Sequence, residues 1–292
     1  MISEPQEWLS PQNVIRAQGF SPLRSLGQNF MLDRGVLRFM VEKAELDEGD
    51  LVIEIGPGSG ALTQYLLAQN IRVSCVELDR GLANYLKNTY AAQGLQVIHG
   101  DILDKKWGLH PEVLEIARAK VSSQCGPAAK WISNLPYNIL TPFLWNLLQQ
   151  PGLWSLGLFL VQKEFVDRLK AGPGDVNYGP LSIVSSLFLE VEALRNVGKG
   201  CFWPSPDVES AIMRARPKAK LGEVSQGFID FLKCIFAQRR KVMMKLLKAR
   251  YANQDAASAL ESCKLNFDVR AESLDPQQLW EFYRVYLSTE AR

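Results

Sequence analysis

Apolar and polar positions fall into two regimes along this chain. From about Leu51 to Arg214, short apolar runs alternate with longer segments of helical spacing, the rhythm of βαβ units around a parallel sheet. Leu51-Val-Ile-Glu-Ile55 predicts a strand buried on both faces. Residues 73–76, 96–98, 130–133 and 156–161 predict four more, and 187–191 and 210–214 are extended enough to supply two others. Val36, Leu37, Met40, Val41 and Ala44 recur at helical spacing behind Asp33, a side chain able to cap that helix. Further helices are predicted from Ala61 and over 82–90.

At Arg216-Pro-Lys-Ala-Lys220 the composition turns polar and basic and the strand signals stop. Beyond it the pattern predicts helices over 228–236, 239–251, 256–263 and, behind Ser273 as a cap, 276–287. The fold class is therefore α/β, a doubly wound, mostly parallel sheet of Rossmann-like type, with a small all-helical C-terminal domain. The expected limits are 1–20 for an N-terminal extension free to be disordered, 21–216 for the sheet domain and 217–292 for the helical one.

Composition narrows the chemistry. At 292 residues, 47% of them hydrophobic and 22% charged, the chain reads as globular rather than fibrous or disordered. The five cysteines stand at least 29 residues apart, which excludes CxxC redox and zinc-ribbon patterns and suits reduced thiols. His99 and His110 are the only histidines, so a His-based metal site or a Ser-His-Asp triad has almost no material, and no metal is expected. No apolar run reaches membrane-spanning length, and the start carries acids where a signal or transit peptide carries bases. We therefore expect a cytoplasmic protein with no membrane partner, acting as a monomer. The net charge of +2 is silent about nucleic acid, so local clusters must decide.

Glu54-Ile-Gly-Pro-Gly-Ser-Gly60 joins the first strand to a helix, and its glycines let a ligand approach the backbone closely. A dinucleotide fold wants a third glycine where Ala61 stands; the G-x-G-x-G form is common in S-adenosylmethionine enzymes. Glu77 ends the second strand and can accept both hydroxyls of a ribose, and Asp101, after the third, can accept from an adenine amino group. The fourth strand runs into Asn134-Leu-Pro-Tyr137, which looks like the signature of methyltransferases acting on an exocyclic amine. Such a nitrogen is a poor nucleophile because its lone pair is delocalised into the ring. Acceptors for its hydrogens favour a pyramidal nitrogen. The Asn134 side chain and the carbonyl of Leu135 or Pro136 are such acceptors, Pro136 constrains the turn, and Tyr137 offers a ring for an extruded base.

Taken in order, these stations resemble one family, the ribosomal RNA adenine dimethyltransferases of the KsgA type. The likeness runs from Arg24 to the C-terminus and includes Leu26-Gly-Gln-Asn-Phe-Met31, Val161-Gln-Lys-Glu164, Tyr178-Gly-Pro-Leu-Ser182, Phe202-Trp-Pro-Ser-Pro-Asp-Val-Glu-Ser210 and Phe236-Ala-Gln-Arg-Arg-Lys241. The resemblance implies S-adenosylmethionine as cofactor, contacted by Asn29, Met31, Gly56, Gly58, Glu77, Asp101 and Asn134. It implies dimethylation of two adjacent adenosines in the 3′-terminal hairpin of small-subunit (16S) ribosomal RNA, with the RNA or a pre-30S particle as partner. Between Phe231 and Arg250 stand seven basic residues and no acid. Arg239, Arg240, Lys241, Lys245 and Lys248 are accordingly expected to contact RNA, with Arg24 on the opposite lip of the substrate channel. Met31 stands where the family usually has leucine, Asp207 where it has lysine, and Val242-Met-Met244 where polar residues are usual. The rival readings are a macrolide-resistance methyltransferase of large-subunit RNA and a non-catalytic assembly factor on the same fold.

Overall fold

The computed structural model describes residues 2–23, 26–104, 108–123, 127–218, 224–250 and 255–288. It divides into two compact units, residues 1–166 with 191–217 and residues 167–190 with 218–292.

In the first unit, α1 (Pro11–Ala17), β1 (Phe30–Met31) and α2 (Arg34–Lys43) precede β2 (Leu51–Ile55), every residue of which is buried. Then follow α3 (Ala61–Leu67), β3 (Arg72–Glu77), α4 (Arg80–Thr89), β4 (Gln96–His99), α5 (Pro111–Ser122), β5 (Ala129–Asn134), α6 (Leu140–Leu148) and β6 (Trp154–Gln162). After α7 (Lys163–Lys170) and α8 (Pro180–Phe188), the chain adds β7 (Leu189–Val197), β8 (Phe202–Trp203) and β9 (Ser210–Pro217). Among the described residues, seven strands form one sheet in the order β4-β3-β2-β5-β6-β9-β7, while β1 and β8 pair antiparallel beside it. Strands β4, β3, β2, β5 and β6 run parallel, and β9 lies antiparallel to β6. The chain steps outward from β2 to β4, then returns to lay β5 against the other side of β2. That reversal is the topological switch point, where open α/β sheets hold ligands. The main core joins Met40, Tyr65, Leu66, Ile132 and Leu158.

Asp33 caps α2 as expected, its carboxylate accepting the Val36 N–H at 3.0 Å. Three readings of the pattern are refined. Within residues 2–20, Trp8 packs on Tyr65 at 5.7 Å, Gln64 hydrogen-bonds both the N–H and the carbonyl of Leu9, and α1 buries Val14 and Ile15. The strand expected over 187–191 starts two residues later, as β7, because Leu187 and Phe188 complete the apolar face of α8 and extended backbone starts at Leu189. Asp275, not Ser273, caps the last helix: Asp275 accepts the Gln278 N–H at 2.9 Å while the Gln278 side chain accepts the Asp275 N–H at 3.0 Å.

The second unit is held by aromatic residues of α8, α9 (Gln226–Phe236) and α12 (Pro276–Ser288), with Phe228 4.7 Å from Trp280 and 5.0 Å from Tyr283. It also contains α10 (Met243–Arg250) and α11 (Ala256–Ser262). The helix expected over 239–251 starts only at Met243, because Val242 bridges Arg270 and the Met243 N–H is given to the Val269 carbonyl. Residues 167–190, read from sequence as part of the sheet domain, group with the helices. Tyr178 is buried there, its hydroxyl donating to the Leu274 carbonyl at 2.8 Å.

Candidate active site

The carboxyl ends of β2 and β5 open into a cleft of about 1100 Å³, its solvent mouth included. Asn29, Met31, Gly56, Gly58, Glu77, Asp101 and all four residues of Asn134-Leu-Pro-Tyr137 line it.

Its floor is the glycine turn. Gly56 and Gly58 both have φ of +60°, a region that favours glycine. A Cβ on Gly58 would also stand 3.0 Å from the Phe30 ring, and one on Gly56 3.4 Å from Pro136. The bare glycine backbone is thus what keeps the cleft open between its two walls. Ser59 lines the same turn, and its Oγ is buried with no hydrogen-bond partner among the described residues. A buried hydroxyl in that state needs a polar partner from beyond the described residues.

Glu77 leaves the end of β3 and is fixed by two backbone donors, the Gly58 N–H at 2.9 Å and the Asp79 N–H at 2.8 Å. Burial raises its pKa, and these donors pull it back toward the ionised form. Each oxygen keeps a lone pair for a diol. Asp101 is exposed, with one oxygen taken by the Leu103 N–H at 2.9 Å. Leu78, 47% exposed, and Ile102 line the cleft directly after these two acids. They are apolar surfaces for a flat ring, and the sequence reading missed them. The available signal was an apolar residue immediately after each strand-end acid. It also missed Glu54, fully buried beneath the turn, where Thr63 donates to it at 2.7 Å. Burial first, and then the nearby Glu77 charge, push Glu54 up to about 8, so that it is mostly protonated at neutral pH. An apolar slot, a paired acid for a diol and an unpartnered hydroxyl beside glycines fit a nucleoside cofactor with a polar tail.

At the other end of the cleft, the Asn134 amide donates through Nδ2 to the backbone carbonyl of Asn29 at 3.0 Å. This leaves the Asn134 side-chain oxygen as an acceptor. The Pro136 carbonyl is taken by the Ile139 N–H at 3.2 Å, so Leu135 carries the backbone acceptor outside the turn. Tyr137 is partly buried, its hydroxyl 2.5 Å from that of Ser210, and burial raises its pKa.

The expected RNA contacts divide. Arg240, Lys241, Lys245 and Lys248 are exposed on the second unit. Arg239 has partners of its own: its guanidinium donates to Glu272 at 2.8 Å and to the carbonyls of Val176 and Asp175 at 2.6 and 2.9 Å. All three nitrogens are engaged inside the unit, so Arg239 pins the 172–178 loop. Arg24 lies outside the described residues.

The family model described as ribosomal RNA adenine dimethylase matches residues 20–287. The chain is 35% identical over 262 residues to ribosomal RNA small subunit methyltransferase A of Deinococcus radiodurans, spanning 89% of this chain and 84% of that protein. It is 36% identical over 248 residues to the protein of the same name from Prosthecochloris aestuarii, spanning 84% and 89%. Among solved structures, a dimethyladenosine transferase from Plasmodium falciparum superposes with a TM-score of 0.72, covering 89% of this chain and 98% of that one. At 23% identity, that likeness speaks for the fold.

Proposed function

Because the chain belongs to the ribosomal RNA adenine dimethylase family, we propose that the cleft transfers methyl groups from S-adenosylmethionine to the N6 amines of two adjacent adenosines in the 3′-terminal hairpin of 16S ribosomal RNA. The enzyme dimethylates adenine in small-subunit RNA, and on this reading it does so in the cytoplasm, as a step of subunit biogenesis. The observation that carries the assignment of residues is the pinned amide of Asn134, which leaves its oxygen as an acceptor in the cleft lined by the glycine turn and the strand-end acids.

When bound, S-adenosylmethionine supplies an electrophilic methyl group on a positively charged sulfur. Glu77 would hold its ribose hydroxyls, Leu78 and Ile102 its adenine ring, Asp101 the adenine amino group and Ser59 the polar tail. Asn29 and Met31 close the cleft from the N-terminal side. For the target base, the Asn134 oxygen and the Leu135 carbonyl accept the two N6 hydrogens and hold the nitrogen toward a pyramidal geometry, an interaction that strengthens mainly as the new bond forms. Tyr137 stacks on the extruded ring, a contact worth roughly 1–3 kcal/mol. The proton is released to water after transfer, so no strong base is needed. After the first methylation one N6 hydrogen remains, and one acceptor holds it through the second. Arg240, Lys241, Lys245 and Lys248 supply phosphate contacts on the second unit.

The test is incubation of the chain with labelled S-adenosylmethionine and either unmethylated small subunits or large-subunit RNA, followed by nucleoside mass spectrometry. Dimethyladenosine at two adjacent positions of 16S RNA is expected. Label confined to large-subunit RNA, or no label in either, would overturn the reading.

A further inference from the structure

We propose that Ser210 is a positioning residue for methyl transfer, acting through the Tyr137 ring. This rests on the reading of Tyr137 as the platform for the target base. Ser210 opens β9 and stands opposite Gln162 of β6 in the antiparallel register, while the neighbouring Glu209 carbonyl accepts the Lys163 N–H at 3.0 Å. The serine is therefore anchored in the sheet, with no exposed surface. It is not among the residues that line the cleft, and its contact with the site runs through Tyr137.

Its neighbours Ala211, Ile212 and Met213 are buried and apolar, and a hydroxyl in such surroundings is costly unless paired. The pairing is with the Tyr137 hydroxyl at 2.5 Å, across 73 residues of chain. Tyr137 needs this contact. Its backbone starts the short turn Tyr137–Ile139 directly after Pro136, which fixes the Cα end of the side chain. A hydrogen bond at the hydroxyl, which lies on the long axis of the ring, holds the other end of that axis, so it fixes χ1 and with it where the ring stands beneath a base. Because the base nitrogen must also meet the Asn134 oxygen, ring position governs how often the two requirements coincide. Segment 202–210 thereby braces both sides of the transfer site: β8 pairs with β1, just past the Asn29 carbonyl that orients Asn134, and Ser210 holds Tyr137.

A double-mutant cycle on the full-length chain, with unmethylated small subunits as substrate, tests the proposal. Ser210→Ala is expected to lower kcat about three- to tenfold, the rate equivalent of one neutral hydrogen bond, with an unchanged calorimetric Kd for S-adenosylmethionine. Tyr137→Phe, which keeps the ring and removes the hydroxyl, is expected to show the same decrease, and the double variant no more than either single one. In protein labelled at tyrosine Cζ, the NMR resonance that Tyr137→Phe abolishes should move in Ser210→Ala. A full additional decrease from Ser210→Ala in the Tyr137→Phe background would overturn the proposal. So would wild-type turnover of Ser210→Ala, or a resonance that stays in place. An inactive wild-type chain whose resonance still moves would overturn the assigned reaction, and with it the role of Ser210, while leaving the contact itself intact.

Discussion

Asn134 shows how much a single residue's partner decides. An asparagine carries both a donor and an acceptor, and only the Asn29 carbonyl tells which faces the cleft. Asn134→Ala should lower kcat by at least about a hundredfold, the scale for removal of a preorganised charge-stabilising group, while calorimetric affinity for S-adenosylmethionine stays within a few-fold. Comparable turnover would remove Asn134 from the reaction. Glu54 makes a prediction in pH. Its ordinary value is 4.5 and its folded value about 8, so below 4.5 it is protonated in both states and is neutral in its effect. Between the two values the unfolded chain loses a proton that the folded chain keeps, and stability falls as pH rises, by at most about 1.4 kcal/mol per unit. Glu54→Gln keeps a partner for Thr63 and should flatten the decline in urea midpoint from pH 5 to pH 8. An unchanged slope would show that Glu54 is ionised in the fold.

Among the elements, the turn after β2 and the loop pinned by Arg239 carry opposite lessons. The turn was legible because glycine spacing is local chemistry. Gly58→Ala adds a Cβ 3.0 Å from Phe30 at a φ of +60°, with a backbone cost of roughly 1–2 kcal/mol. We expect cofactor Kd to rise tenfold or more, read by calorimetry. The loop was not legible, because seven basic residues in twenty give no sign that one of them is occupied. Arg239→Ala should speed hydrogen exchange over 172–178 and leave the salt dependence of RNA binding unchanged. Replacing Lys241 and Lys245 with glutamine should instead flatten that dependence by about 0.7 in log–log slope for each phosphate no longer neutralised. The reverse pattern would return Arg239 to the RNA surface.

For the whole molecule, the cofactor cleft lies in the first unit and the exposed cations in the second. A ligand that binds only the folded cleft stabilises by mass action, about 2.7 kcal/mol at one hundred times its Kd. S-adenosylmethionine should therefore raise Tm, and Glu77→Ala at the same concentration should abolish most of the rise; an undiminished rise would remove Glu77 from the ribose site. The sequence by itself determined the alternation of strands and helices, the glycine turn, the strand-end acids and the Asn134-Leu-Pro-Tyr137 turn. Each is written in neighbours a few residues apart, where period, turn chemistry and capping act. The tertiary structure alone decided that Asn29 orients Asn134 from 105 residues away and that Ser210 holds Tyr137. It alone closed Arg239 on Asp175, Val176 and Glu272, and assigned residues 167–190 to the helical unit. Those outcomes depend on which distant polar groups meet once the apolar surfaces are buried, and no local pattern encodes that choice.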